Sequence, residues 1–322
     1  MLVNNKFWSL GTAIAALILV SSPSYSQSTT VPGQDVGLAV GMPLPEGLYA
    51  INTFIYRRTD QRSSPDTAVE IPILVWSTPW KLFDARVELL LSQDTVFAFS
   101  RNQASVPNRD ISVNVGTFVG GELAWDLGGG VGVSYLFATY LNGLNGDRGS
   151  FVGAGGSTPV LPQLASTTFR QDFSISYTAD DWNLTAQLTH NFYDSPGRFG
   201  GPVGAALGPV FVSDALNLGL TATKKFGNFE FGAIGYGTTD LSFNPISGTK
   251  NGRFALGGLL GYDFGSFKAQ VYVARDVVTR ATYVTSGGST RDNLSTDGFF
   301  RLIVPLYTAA AASTPVSPLI RK

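Results

Sequence analysis

The sequence contains no cysteine, which removes disulfides, thiolate nucleophiles and thiolate metal sites together. A cysteine-free chain also suits unfolded passage through an oxidising periplasm, because no wrong crosslink can form. Histidine is nearly absent, with His190 standing alone. One imidazole, no thiol and no dense carboxylate cluster make no ligand set, so neither a metal nor any other cofactor is expected. Charge is sparse: 14% of residues are Asp, Glu, Lys or Arg, and 22 Lys+Arg against 23 Asp+Glu leave a formal net charge of -1. These basic residues are scattered and form no concentrated positive face, which sets nucleic acid aside as a partner. After Val20 no apolar run approaches the roughly 20 residues that a membrane helix requires.

What the chain does have is Gly (37 residues) and aromatics (12%), the composition of many strands joined by tight turns. Its start is tripartite. Lys6 provides a positive n-region, Phe7 to Val20 an apolar h-region, and Ser24-Tyr25-Ser26 a small-x-small cleavage site before Gln27. This is the pattern of a secretory signal peptide over residues 1–26, cleaved near Ser26. A retained N-terminal anchor is the alternative, and the short h-region argues against it.

The mature part alternates. In Asp181 to Tyr193, Trp182, Leu184, Ala186, Leu188, His190 and Phe192 share one face, and Asn183, Thr185, Gln187, Thr189 and Asn191 share the other. Successive strand side chains point to opposite sides, so one face is apolar and the other wet. The same unit recurs at 168–179, in the hairpin joined by Phe226-Gly227-Asn228, and in the one joined by Asp263 to Ser266. Strands are expected near 46–58, 69–79, 84–95, 110–125, 130–141, 168–179, 181–193, 212–225, 228–239, 252–263, 267–278 and 298–307, about twelve in all.

Connections alternate short (77–84, 126–130, 179–181, 226–228, 264–266) and long (57–68, 94–110, 142–167, 194–211, 238–251, 279–297). Bacterial outer-membrane barrels have this rhythm: short periplasmic turns, long extracellular loops and an even strand number. The fold class expected is therefore all-β, a transmembrane antiparallel up-and-down barrel over residues 46–307 in the outer membrane of a Gram-negative cell. A soluble sandwich would carry more charge on its polar face, whereas here that face is mostly Ser, Thr, Asn, Gln and Gly. Bilayer hydrocarbon also demands closure, since an open edge leaves backbone groups unpaired. Aromatics near strand ends, among them Tyr56, Trp76, Trp80, Tyr140, Trp182 and Tyr262, read as two interfacial girdles or as core aromatics. Residues 27–45 form either a periplasmic leader or a partial plug folded up into the lumen. Residues 308–322 form a Pro/Ala/Ser tail.

The chain resembles the outer-membrane meta-pathway phenol degradation family, a set of transporter-like barrels. The pieces that carry the resemblance are Pro45 to Tyr49, Thr78-Pro79-Trp80-Lys81 at the first tight turn, Asp181 to Leu184, Lys225 to Asn228, Gly261 to Gly265, and Asp297 to Leu302 with Pro305-Leu306. Together they span most of residues 43–306. The motifs are short, and their order carries the specificity. The resemblance implies a small-molecule channel, with aromatic or other hydrophobic compounds as candidate solutes. Barrel chains commonly end at an aromatic residue of the last strand, and the tail from Thr308 departs from that pattern.

Candidate functional residues are the charges that parity turns inward: Arg86, Glu88, Arg170, Asp172, Glu230, Arg253, Lys268, Asp276 and Arg301, with Arg170, Asp172 and Arg301 foremost. Such residues either brace the wall in pairs or select solute, since lumen substitutions tune selectivity. His190 falls on the lipid side and resembles the histidine of outer-membrane phospholipase A, a lipid hydrolase. That enzyme has its serine two residues further on, where this chain has Phe192, so no nucleophile is placed for activation. Gly120-Gly121 and Gly128-Gly129-Gly130 lack the Lys and Ser/Thr of a phosphate loop and lead into a strand. The expected function is passive uptake through a non-enzymatic channel. A His190 lipid hydrolase and a non-transporting structural or adhesion barrel are the alternatives. Expected partners are outer-membrane lipids, a small solute and, during insertion, the barrel-assembly machinery.

Overall fold

Period-two alternation over ten or more residues forms long strands only if each finds a neighbour on both sides. In the structure, a computed structural model, all of them do. It describes residues 30–62, 64–99, 110–141, 150–153, 156–159, 168–193, 197–198, 209–210, 213–242 and 250–309. Residues 1–26, expected as a signal peptide, lie outside the described residues, as does the expected tail from residue 310 on; its first residue, Thr308, instead ends the last strand.

Twelve long strands make the wall: β1 (Gly47–Thr59), β2 (Asp66–Leu82), β3 (Ala85–Phe99), β4 (Asp110–Gly128), β5 (Val131–Leu141), β6 (Thr168–Tyr177), β7 (Trp182–Tyr193), β8 (Ala215–Phe226), β9 (Phe229–Asp240), β10 (Gly252–Asp263), β11 (Lys268–Thr279) and β12 (Ser295–Thr308). Each is antiparallel to its chain neighbours, and β12 pairs back on β1 from Gly47–Thr308 to Thr59–Ser295. The barrel is closed and has no free edge. Short strands Ser150–Gly153 and Gly156–Pro159 extend the sheet beyond β4, and two further small hairpins lie at Gly197–Arg198 with Pro209–Val210 and at Thr282–Val284 with Thr290–Asp292. No helix among the described residues is long and apolar enough to cross a membrane.

The turns follow from residues that accept positive φ. Phe83-Asp84 (φ 50 and 62) and Asp180-Asp181 (φ 54 and 63) close two of the short connections, and Asp tolerates this region because its side chain bonds locally. The first turn corrects the expected one at 77–84. β2 continues through Thr78-Pro79-Trp80-Lys81, with a bulge between Ser77 paired to Glu88 and Lys81 paired to Arg86. Thr78 replaces the lost rung, its hydroxyl donating to the Val87 carbonyl (2.8 Å) and accepting from the Trp80 N–H (3.1 Å).

The outer surface is apolar over most of the wall, with a polar patch at Asn52, Glu70 and Gln93. Leu184, Leu188, Leu220, Leu256, Val273 and Phe300 are each exposed by 37% or more, a contiguous belt that no soluble protein leaves uncovered. Aromatics mark its short-turn rim: Trp76 on Trp80 at 5.2 Å, Phe229 on Tyr262 at 4.8 Å and Phe264 on Phe267 at 4.5 Å between centroids. Tyr140 does not belong to a girdle. It is 1% exposed and packs on Phe118 inside the lumen, because its parity is that of the buried Leu136 and Ala138.

Candidate functional site

The lumen is filled by the chain's own residues 30–46. This segment enters at the short-turn end, where the Leu44 N–H donates to Glu88 (2.8 Å) and Ser77 donates to the Leu44 carbonyl (2.9 Å). It ends among the long-loop halves of β7 and β8, where the Thr30 hydroxyl donates to Asn191 (2.6 Å) and Asn217 donates to the Thr30 carbonyl (3.2 Å). Between these points Ser134 donates to the Val40 carbonyl (2.8 Å), the Gly41 N–H to Ser176 (2.9 Å) and the Gly37 N–H to Thr221 (2.8 Å).

Glycine is needed where the segment touches the wall. Gly37 has φ +88, and a Cβ there would lie 2.5 Å from Leu259; at Gly41 it would lie 2.6 Å from the Ser176 backbone nitrogen. Opposite the polar contacts, Val36 joins a buried cluster with Ile55, Ile71, Ile234, Leu259 and Phe299. The segment therefore has one polar and one apolar side, each matched by the wall it meets.

Two guanidinium groups hold the segment from across the lumen. Arg301, fully buried, donates to the carbonyls of Gln34 and Val36 (the latter at 2.7 Å), to Thr53 (2.9 Å), to Tyr272 (2.9 Å) and to Gln270 (3.2 Å). Arg170 pairs with Asp172 on its own strand and with Asp35 of the segment at 2.6 Å, while Gln187 donates to Asp172 at 3.0 Å. The trio singled out in the sequence thus converges on one element, Arg170 and Asp172 from β6 and Arg301 from β12.

The other inward charges form two further tiers. Toward the long loops, Arg253 lies between Asp297 and Asp276 (3.2 Å), and Arg57 also pairs with Asp297 (2.8 Å). Toward the short turns, Lys268 pairs with Glu230, which also accepts from Thr223 (2.5 Å) and Gln270 (3.0 Å). Arg86, half-buried at that rim, donates to the Thr78 carbonyl (2.8 Å). Sequence reasoning missed Asp297 and Arg57. Asp297 has the parity of Arg301, but starting the last strand at 298 cut it off; Arg57 lies at the margin of the expected strand 46–58, from which no inward charge was chosen. Asp35 had no such signal, since it lies outside any strand.

Beside the segment remains a void of about 50 Å³ bounded by Asp35, Val40, Ile73, Ser92, Asp94 and Phe118 among others, room for about three or four waters. No group of His, Cys, Asp and Glu suited to a metal occurs among the described residues. His190 is outside the lumen, stacked on Phe192 at 5.3 Å.

This geometry can be set beside known proteins. No family model matches the sequence, and no curated protein matches it. Among solved structures, an outer-membrane channel from Pseudomonas putida F1 is similar, with a TM-score of 0.53 at 12% identity over 83% of this chain and 99% of that one. The fold is that of an outer-membrane barrel. More distant are the translocator domain of the autotransporter NalP from Neisseria meningitidis (TM-score 0.46, 10% identity, 81% of this chain and 89% of that one) and the P. putida toluene transporter TodX (0.42, 11%, 84% and 94%). At these identities the likeness concerns fold alone.

Proposed function

We propose that the protein is an outer-membrane channel for small molecules whose residues 30–46 act as a resident plug. One observation carries this reading: the lumen is filled by a tethered segment gripped mainly through reversible hydrogen bonds and ion pairs. A purely structural barrel gains more from an apolar core, because burying charged groups is at best neutral against well-packed hydrophobic side chains. Glu88, Arg170 and Arg301 then serve to seat the plug, and Arg170, Asp172 and Arg301 select solute once it moves. The resemblance to transporter-like barrels and the similarity to the P. putida F1 channel support transport. Aromatic or other hydrophobic compounds are the proposed solutes, and barrel-assembly factors the proposed partners in insertion.

Planar-bilayer conductance tests the reading. The full chain should be closed or flicker briefly, and a chain lacking Thr30–Gly41 should conduct steadily. Arg301→Met should give intermediate opening, because it removes the Gln34 and Val36 contacts while keeping the side chain's volume. Silence from both altered chains, folded and inserted, would overturn the proposal in favour of a scaffold.

A further inference from the structure

Arg301 differs from the other cations of the lumen. Arg57, Arg170, Arg253 and Lys268 each pair with a carboxylate. Arg301 is fully buried, and among the described residues no carboxylate pairs with it. Its acceptors are all neutral: the hydroxyls of Thr53 and Tyr272, the side-chain carbonyl of Gln270, and the Gln34 and Val36 carbonyls of the plug. A cation buried without a counter-ion is costly, because neutral oxygens replace only part of its lost hydration. The plug oxygens are also arranged in a telling way. Nη1 takes the Val36 carbonyl and Nη2 the Gln34 carbonyl, the two-oxygen pattern that the arginine fork offers to a carboxylate.

The wall beside this guanidinium is flat and aromatic. Tyr272 lies under Arg301, 5.4 Å from guanidinium carbon to ring centroid, and stacks on Phe299 at 4.1 Å; Phe299 meets Tyr236 edge-on at 5.7 Å. The plug answers with bare backbone. A Cβ at Gly33 would lie 2.9 Å from Cγ of Tyr236, so only a peptide plane reaches that ring, and the Tyr272 hydroxyl donates to the Gly33 carbonyl at 3.2 Å. Val36 packs with Ile55, Ile234 and Leu259. The plug thus offers this wall a planar group, two carbonyl oxygens and one apolar side chain.

We propose that this seat is a binding site for a monocarboxylate on a flat apolar body, of the aromatic-acid class, which the plug imitates and which displaces the plug. The proposal rests on the channel reading and narrows its solute. The carboxylate takes the place of the Gln34 and Val36 carbonyls on Arg301, and the ring that of the Gly33 peptide and Val36. One unmatched positive charge suits one negative charge. A second would meet Glu230, which accepts from Gln270 at 3.0 Å, and Asp297, which accepts from Tyr236 at 2.7 Å. The opposite wall offers an anion nothing, since Arg170 keeps Asp172 when the plug carries Asp35 away.

Calorimetric titration of the refolded barrel, plug included, with benzoate and with its neutral counterpart benzyl alcohol tests the site. Wild type is compared with Gly41→Ala and Arg301→Met. A Cβ at Gly41 would lie 2.6 Å from the Ser176 nitrogen, so Gly41→Ala loosens the plug at the far wall without touching Arg301. Plug and benzoate compete, so the apparent affinity for benzoate should rise in Gly41→Ala in proportion to the freed seat. Benzyl alcohol should bind that variant clearly less well. Arg301→Met also loosens the plug, yet it should weaken benzoate at least about 30-fold, the loss expected when one partner of a buried charge pair is removed. The two roles of Arg301 therefore give opposite signs. Unchanged or tighter benzoate binding by Arg301→Met makes Arg301 a plug seat alone and overturns the proposal. So does benzoate held by Gly41→Ala no better than benzyl alcohol, or held by neither Gly41→Ala nor wild type. If Arg301→Met does not refold, Arg301→Lys, which keeps the charge and loses the fork, carries the same comparison and should weaken benzoate. Conductance separates this proposal from the channel reading. A plug-deleted chain that conducts, beside a barrel that ignores benzoate, keeps the channel and removes the site; benzoate held through Arg301 by a barrel silent throughout keeps the site and removes the channel.

Discussion

Two stretches of the same wall, β6–β8 and β2–β3, solve the bilayer problem differently. Between β7 and β8 every position pairs from Trp182–Lys224 to Asn191–Ala215. Leu184, Leu188, Leu218 and Leu220 cover the outside, and Thr185, Gln187 and Asn191 face the plug. Between β2 and β3 the rung at Pro72 is missing, the outside carries Glu70 and Gln93, and the inside is mostly apolar toward a void. Both stretches touch the segment, β2–β3 through Ser77 and Glu88, and both bound the void, with Ile73, Ser92 and Asp94 on one side and Arg170, Asp172 and Gln187 on the other. What separates them is the ladder and the outer face: continuous and apolar at β7–β8, short of a rung and polar at Glu70 and Gln93 in β2–β3.

The largest expected effect lies in β6–β8. Asp172→Ala removes a carboxylate that pairs with Arg170 and accepts from Gln187, and breaking a buried pair costs about 3–5 kcal/mol. Asp35 remains as a partner for Arg170, which places the expected loss near the lower end. A denaturant refolding titration reads it. A loss close to zero would show that water already solvates these charges, and the holding role of β6–β8 would lapse.

Next is a matched pair of outward substitutions. Arg at Ala186, on the complete stretch, should cost about 2–4 kcal/mol if it lies near the midplane. Arg at Gln93 should cost clearly less, because Glu70 and the exposed polar groups around Pro72 can hold it. Equal costs in the same titration would remove the distinction between the two stretches.

Much of this was legible in the sequence, and for a definite reason. Alternation in Asp181 to Tyr193 reports which face meets lipid, so the strands, their order and closure could be read from period two and turn residues alone. Inward charge could be read in the same way, as at Arg170 and Arg301. What parity does not encode is what the inner face touches. Gln187 reads as a residue of a wet wall, yet it is buried against Asp172 and Asp35. The plug has no period, only Gly33 and Gly37 at positive φ and Asp35, so its seat could not be derived from spacing. Pro72 was visible as a proline within a strand, but which neighbour lost the bond depends on register.

The smallest effect concerns that proline. Pro72→Val supplies the N–H that the Gln93 carbonyl lacks, and a hydrogen bond of this kind contributes about 0.5–1.5 kcal/mol net. Replacing proline also frees the unfolded chain, which offsets about 0.4–1 kcal/mol of the gain. A β-branched residue fits the pleat and adds slightly to the favourable side. The sum is a stabilisation of under about 1 kcal/mol. A refolding titration reads it. A variant equally or slightly more stable would show that the missing rung, and not side-chain packing, is what sets β2–β3 apart. A variant clearly less stable would make Pro72 a packing residue and return β2–β3 to the same class of wall as β7–β8.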